Sequence, residues 1–310
     1  MLVALLALVV GTWNGNWFPS GRAEHRAHPD VEAATIEAAG QMLAKGIAAA
    51  DPSGTEDVVV VLNEIRNREV AERLVGKIGR PGLKVASISA YRRRDRFDQQ
   101  QDVVLTTLPT AEAGWGRWQR SRETAPPRGY AYADVVVSPA VTARVYAVHL
   151  KSNYGATTEE KRADNRAKRA SAVEQLVSIA KGCKAVVVAG DFNADKWRGE
   201  FSGDTIFSTL EAAGYSNLVA LMPASGRGTH PNRKYGDSAL DYIMVKGLDA
   251  VGVPKLVPNE SLSDHFALFA QVRVPRQVSS KEPSSAPRSR RNSRRPAAPR
   301  GRRQEPLRTP

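Results

Sequence analysis

Short apolar runs rich in valine recur along the chain and are separated by turn signals. Because several of these runs are too short for a helix and carry β-branched residues, they predict strands. The predicted strands are residues 5–13, 57–62, 85–90, 102–105, 132–137, 144–150, 184–189, 238–245 and 266–274.

Apolar residues at helical spacing occupy some of the intervals between these strands. Residues 29–49 are rich in alanine, residues 158–179 follow a threonine cap with acids in the first turn, and residues 207–213 end at Gly214. Several other intervals are too short for a helix, which excludes a doubly wound parallel sheet. The pattern therefore predicts an α/β (α+β) sandwich of two packed sheets with helices on the outside.

Composition and charge divide the chain into a body and a tail. Its 310 residues are within reach of one large α/β domain, and the single cysteine, Cys183, excludes an intramolecular disulfide and a cysteine-built zinc site. The net charge is +13, but residues 275–310 hold eleven Lys/Arg against two Glu. We expect a folded, mildly basic domain over residues 1–274, which suits an anionic substrate, and a disordered Arg/Ser/Pro-rich basic tail over residues 275–310.

The apolar run at residues 2–10 has two interpretations. It is shorter than the roughly 18–20 residues that span a bilayer. It also lacks a preceding Lys or Arg and a small-residue cleavage site, so it makes a poor signal peptide. We interpret it as the first strand, and a cytoplasmic or an exported location both stay open.

Polar residues stand at the ends of the predicted strands. They are Asn14, Asn63 with Glu64, His149, Asp191 with Asn193, Asp241, and Asp264 with His265. A single Asp-x-Asn pair would be an Asx turn, but six polar strand ends in one domain indicate a convergent site on a rigid scaffold. Carboxylates and amides without cysteine favour Mg²⁺, or Mn²⁺, over zinc, and histidines supply proton transfer.

In order and rough spacing these motifs resemble the endonuclease/exonuclease/phosphatase superfamily, the deoxyribonuclease I-like fold. The resemblance rests on residues 12–14, 63–64, 149–150, 190–193, 240–242 and 263–265, and it spans about residues 5–274. It implies a four-layered sandwich of two mixed sheets flanked by helices. It also implies Mg²⁺-dependent hydrolysis of phosphate esters.

The resemblance also implies a metal site. Glu64 resembles the principal metal ligand, with Asn14 and Asp264 nearby. The family usually has Gln before this glutamate, whereas this chain has Asn63, a shorter amide for which we expect a supporting role.

The catalytic roles follow from the same resemblance. Asp191 resembles the residue that orients or deprotonates the attacking water, and Asn193 the amide that holds a phosphate oxygen. His265 resembles the histidine that faces the scissile phosphate, and Asp241 the carboxylate that orients a catalytic histidine and keeps it protonated. His149 resembles the second histidine, a candidate general acid for the leaving oxygen.

The substrate stays open among three hypotheses. Residues 148–152 read Val-His-Leu-Lys-Ser where the abasic-site repair branch usually has Tyr-x-Pro-Asn, which argues against that branch. We expect a nuclease acting on DNA or RNA. The alternative is a sphingomyelinase-like lipid or small-molecule phosphoesterase that uses the Trp-rich stretch 115–120 at a membrane, and the third is an inactive scaffold that binds nucleic acid.

Weaker signals concern the surface around the site. The Arg-rich run 91–96 and the basic tail could add non-specific contacts to nucleic acid. Lys151 and Asn153 could contact phosphate, and Arg128 could lie at the rim of the site. His230 has no partner that the sequence assigns, and we interpret it as a loop histidine. The sequence indicates no protein partner, and we expect a monomer.

Overall fold

The computed structural model describes residues 7–22, 27–92, 99–234, 236–259 and 261–275, which all belong to one compact unit. Three expectations fall wholly or partly outside these residues: the start of the first apolar run, the basic run from residue 93, and the tail from residue 276. From Ala7 onwards the first apolar run is a strand.

The described residues form two six-stranded sheets, and both sheets are mixed. The first sheet, in the order β11-β12-β1-β2-β4-β3, contains β1 (Ala7–Phe18), β2 (Asp57–Ile65), β3 (Lys84–Ile88), β4 (Gln101–Thr106), β11 (Asp249–Val257) and β12 (Ala267–Arg273). The second, in the order β5-β6-β7-β8-β10-β9, contains β5 (Thr110–Arg117), β6 (Gly129–Ser138), β7 (Val141–His149), β8 (Ala185–Asp191), β9 (Ser216–Asn217) and β10 (Asp241–Lys246).

Four α-helices cover the outer faces of the sheets in the described part of the chain. They are α1 (Pro29–Ala50), α2 (Arg68–Ile78), α3 (Glu159–Ile179) and α4 (Ile206–Ala212). The side chain of Thr158 caps α3 by accepting a hydrogen bond from the backbone N–H of Lys161, as the sequence predicts. None of the described helices combines the length and apolar character needed to cross a membrane.

Successive side chains of a strand point to opposite faces of the sheet, and this alternation places them in two separate core layers. In β2, Val58 and Val60 pack in the cluster that includes α1 and α2, whereas Val59 and Val61 pack in the cluster shared with the second sheet. Residues of α3 and α4 complete that second cluster from the other side. The four-layered α/β sandwich predicted from the sequence is therefore confirmed.

One α-helix and three strands were not predicted. Helix α2 and strands β5, β9 and β11 fall in stretches that the sequence analysis left without structure. In the Trp-rich stretch, Trp115 lies in β5 and is 40% exposed. Trp118 is buried against Tyr130, with 4.9 Å between the ring centroids.

Candidate active site

Strand register in the second sheet aligns three of the predicted residues. Strand β8 lies between β7, which runs parallel to it, and β10, which runs antiparallel. His149 and Asp241 are both register partners of Asp191. Residues in register on neighbouring strands point to the same face, so the three side chains lie in one row.

A glycine allows this row to form. Gly190 has a φ of 137°, and a Cβ at this position would lie 1.9 Å from the carbonyl oxygen of Val148. No other residue adopts this conformation in so little space. Gly190 therefore fixes the direction in which the Asp191 carboxylate leaves the strand.

The Asp191 carboxylate is a buried acceptor of several hydrogen bonds. Its Oδ1 accepts from the backbone N–H of Asn193 at 2.7 Å, so the Asx turn suggested by the sequence also exists. Its Oδ2 accepts from Nδ2 of Asn14 at 3.0 Å and from Nδ2 of Asn193 at 2.9 Å. Burial raises the pKa of Asp191 to about 7, although the nearby His265 acts in the opposite direction.

Glu64 lies in the first sheet, and its carboxylate and that of Asp191 accept hydrogen bonds from the same amide, that of Asn14. Nδ2 of Asn14 also donates to Oε1 of Glu64, at 3.3 Å. The other oxygen, Oε2, accepts from the backbone N–H of Trp17 at 3.0 Å and from Nε2 of Gln100 at 2.7 Å. Two carboxylates from different sheets are thus held at one point.

Asn63 joins the two sheets beneath this point. Its Nδ2 donates to Oδ1 of Asp102 at 2.7 Å and to the carbonyl oxygen of Val148 at 3.1 Å. Its Oδ1 accepts from the backbone N–H of Asp191 at 3.0 Å. The shorter amide therefore has the position of a support rather than of a ligand.

His265 is paired with a buried carboxylate. Its Nδ1 lies 2.7 Å from Oδ2 of Asp241, and its Nε2 lies 3.9 Å from Oδ2 of Asp191. Burial alone would lower the pKa of His265, but the carboxylates of Asp241 and Asp191 outweigh this effect and raise the pKa to about 10. The imidazole is therefore positively charged at neutral pH.

His149 has the opposite electrostatic character. Its Nε2 lies 3.5 Å from Oδ2 of Asp191 and 3.6 Å from Oε1 of Glu64, and its Nδ1 is buried without a hydrogen-bond partner among the described residues. Burial, with Arg128 and His265 acting in the same direction, lowers the pKa of His149 well below its ordinary value. In the free protein the imidazole is therefore neutral.

Asp264 lines the same cleft but contacts different partners. Its side chain is 52% exposed, and its carboxylate lies 3.6 Å from Nε2 of His230 and 4.0 Å from Nε2 of His265. The potential ligand atoms of these three residues lie within 4.8 Å of one another. A protonated His265 cannot bind a metal, so the Glu64 carboxylate suits a divalent cation better than this group of three residues does.

Most of these residues line a cleft of about 1120 Å³, whereas Asp241 and Asn63 are buried outside its lining. Five residues that line it are non-glycine residues with left-handed φ: Asn16, Trp17, Glu64, Arg128 and Asn193, at 49°, 55°, 61°, 61° and 50°. Such backbone conformations cost free energy and persist where the surrounding structure enforces them, most often at functional sites.

The donors at Glu64 fit a hard divalent cation. Glu64 and Asp191 are 8% and 2% exposed, and like charges buried together are costly unless a cation or a proton compensates them. The oxygens at the point where they meet are those of the two carboxylates, since the Asn14 amide presents its nitrogen to both, and the one cysteine, Cys183, lies outside the cleft lining. This donor set is that of Mg²⁺ or Mn²⁺.

A family model decides the assignment. The model described as "Endonuclease/Exonuclease/phosphatase family" matches residues 11–265. The chain belongs to this family. Membership supports a phosphoric ester hydrolase, and all the residues of the cleft that the motifs predicted fall within the matched range.

Solved structures of the Endonuclease/Exonuclease/phosphatase family have the same fold. A family protein from Leptotrichia buccalis matches with a TM-score of 0.60 and 13% identity, covering 86% of this chain and 99% of its own. A D. rerio TDP2 humanized by 14 mutations matches with a TM-score of 0.59 and 14% identity, covering 86% of this chain and 99% of its own. An endonuclease/exonuclease/phosphatase from Beutenbergia cavernae matches with a TM-score of 0.58 and 17% identity, covering 86% of this chain and 72% of its own. No curated protein matches the sequence.

Of three further residues at this family site, Gln100 was not selected from the sequence, whereas His230 and Arg128 were named without an assigned contact. Gln100 donates to Glu64, and His230, interpreted from the sequence as a loop histidine, lies beside His265 with 4.9 Å between ring centroids. Arg128 lies at the rim as suggested, where it donates to the carbonyl oxygens of His149 and Leu150 at 3.1 and 2.8 Å and to Gln100 at 3.0 Å. The one signal in the sequence that could have identified Gln100 was its place as a polar residue just before a predicted strand.

Proposed function

We propose that the protein is a divalent-metal-dependent phosphodiesterase that cleaves nucleic acid, DNA or RNA. The observation that carries the proposal is the junction of Glu64, Asn14 and Asp191 within reach of the charged His265. The reaction builds negative charge on the phosphate, so a cation site, an imidazolium and amide donors on one cleft wall suit it. Most of the net charge of +13 lies in residues 275–310, and the mildly basic domain itself suits an anionic substrate.

The metal would be held by the Glu64 carboxylate, and by Oδ1 of Asn14 once its amide is turned from the orientation in which Nδ2 donates to Glu64, with Asp264 at the edge of the same cleft. When bound, Mg²⁺ or Mn²⁺ would polarise the phosphoryl group and offset its developing charge. The backbone N–H of Trp17 and the amide of Gln100 orient the Glu64 carboxylate for this role.

The remaining residues have complementary roles in the proposal. Asp191, with its pKa raised to about 7, orients the attacking water and accepts its proton near neutral pH. Asn193 would donate to a phosphate oxygen the amide N–H that the carbonyl oxygen of Leu150 accepts at 3.2 Å in the free protein. His265, oriented by Asp241, stabilises the developing charge through Nε2. His149 acts as an acid for the leaving oxygen once the bound phosphate compensates the effects that keep it neutral.

One assay tests the proposal. Purified protein is incubated with plasmid DNA, single-stranded DNA, RNA and sphingomyelin, with Mg²⁺ or with EDTA. We expect cleavage of nucleic acid that EDTA abolishes and that His265→Ala lowers by about 100-fold or more. His28→Ala removes an exposed histidine from the start of α1 and serves as the matched control with wild-type activity.

Metal binding has its own readout in the thermal unfolding temperature. Mg²⁺ should raise the unfolding temperature of the wild type, because a ligand that binds the folded state stabilises it. Glu64→Gln should lose this rise, and Glu37→Gln, at an exposed ion pair of α1, should keep it. Phosphocholine release from sphingomyelin without cleavage of any nucleic acid would contradict the proposed substrate class.

A further inference from the structure

A four-residue loop lies directly beyond the His149 strand end and forms one wall of the cleft. This 151–154 loop consists of Lys151, Ser152, Asn153 and Tyr154, and all four residues line the cleft. None of the roles proposed above uses it.

A buried arginine holds the 151–154 loop in place from below. Arg169 of α3 is 0% exposed, and its Nη1 donates to the carbonyl oxygen of Lys151 at 2.7 Å and to Oδ1 of Asn153 at 3.1 Å. Its Nε and Nη2 donate to the Asp204 carboxylate at 2.9 and 2.6 Å. A loop fixed by a buried ion pair has the rigid support that binding sites require.

Lys151 brings a positive charge without an acidic partner to this wall. Its Nζ donates to the carbonyl oxygen of Ser152 at 2.6 Å, and no carboxylate of the described residues forms an ion pair with it. Burial lowers the pKa of Lys151, and the neighbouring positive charges, chiefly that of Arg128, act in the same direction, whereas the Asp164 carboxylate opposes them. A phosphate beside Lys151 would relieve this repulsion.

Tyr154 presents an aromatic face to solvent at the same place. The residue is 95% exposed. Within the described ranges its hydroxyl has no hydrogen-bond partner and its ring stacks on no other ring, while its backbone N–H is fixed by Oγ of Ser152 at 3.0 Å. A fixed backbone with an open ring is the arrangement on which nucleic-acid bases stack.

We propose that the 151–154 loop is a subsite for an unpaired nucleotide adjoining the scissile phosphate, with Lys151 Nζ binding its phosphate and Tyr154 stacking on its base. The inference rests on the proposed function and narrows its substrate to nucleic acid that is single-stranded at the cleavage position. In a duplex both faces of each base are covered by neighbouring pairs, so no face is left for Tyr154.

The test compares kcat/KM on two substrates of equal length, a single-stranded DNA oligonucleotide and an oligonucleotide of abasic sugar-phosphate units. The wild type should prefer the substrate with bases, and Tyr154→Ala should reduce this preference by about 5- to 100-fold. Tyr154→Phe, which keeps the ring, should retain it. Lys151→Ala should lower kcat/KM on both substrates alike, because both carry the phosphate.

Val253→Ala is the matched control, since Val253 is 48% exposed on β11 and lies outside the cleft lining. The inference is overturned if Tyr154→Ala keeps the wild-type preference, or if the wild type cleaves duplex DNA and leaves single strands intact. Absence of cleavage of every nucleic acid by the wild type is a different result, and it refutes the proposed function itself.

Discussion

The Asp241 carboxylate approaches His265 from the Nδ1 side, 2.7 Å away, and thereby leaves Nε2 directed towards Asp191 and the cleft. The charged ring carries a proton on each nitrogen, so Nδ1 donates to Asp241 while the Nε2 proton faces the cleft. The pair therefore separates two tasks: Asp241 keeps the imidazole charged, and Nε2 remains available to a phosphate.

Asp241→Asn tests this separation through the pH dependence of kcat/KM. The wild-type pKa of His265 is raised from 6.5 to about 10, so the charged form persists as pH rises and is lost only through about pH 10. Without the Asp241 charge the pKa should fall, and the variant should lose activity at a lower pH than the wild type. The measurement is the alkaline limb of the profile, and an unshifted limb would show that His265 does not act as a cation.

At the scale of elements, loss of the buried Arg169–Asp204 ion pair that supports the 151–154 loop should destabilise the protein. Arg169→Met leaves Asp204 as a buried carboxylate without its cation, which should reduce the free energy of unfolding by about 3–5 kcal/mol. Urea denaturation measures the loss. Arg169→Met combined with Asp204→Leu removes both charges and should recover most of it, whereas equal losses in the single and double variants would count against a charge effect.

The valine-rich strands were predictable because both of their faces are buried, which leaves a continuous apolar run in the sequence. Strand β5 has no such run, since most of its residues are exposed. Strand β11 contains Gly252 and Pro254, which usually interrupt a strand and are accepted here because β11 lies at the edge of its sheet. Helix α2 did carry a signal that was overlooked, with Asn67 as cap and Gly79 as its left-handed end.

The same distinction applies to the site. His149, Asp191 and Asp241 stand at strand ends, and strand register alone brings them together, so their convergence could be predicted. The contacts of Gln100 and His230 depend on how loops return to the cleft, and sequence spacing does not encode such paths. The charge states of the two histidines also required the structure, because burial and neighbours move their pKa values in opposite directions.

At the scale of the whole molecule, Asn63 is a polar link between the sheets at the site, beside the hydrogen bond from Asn14 to Asp191. Asn63→Ala would leave the buried Asp102 and the backbone N–H of Asp191 without their shared partner. We expect a loss of about 1–3 kcal/mol in the free energy of unfolding, together with a lower kcat as Asp191 loses its support.

Calorimetry and steady-state kinetics on one preparation measure both effects of Asn63→Ala. Asn217→Ala is the control, because Asn217 is a buried amide that caps a turn within one sheet by accepting from the backbone N–H of Val219. It should lose stability and keep kcat. Equal kcat values for Asn63→Ala and the wild type would contradict the supporting role.

The order of the strands along the chain bears on how the enzyme is made. The strands of the second sheet are consecutive along the chain, from β5 to β10. The first sheet is complete only when β12 has inserted between β11 and β1, where Arg273 pairs with Ala7. Asp264 and His265 immediately precede this last strand. Pairing across so long a stretch of chain is slow. A nascent chain on the ribosome is therefore expected to stay inactive until β12 has emerged and docked, so that hydrolysis begins only with the final step of folding.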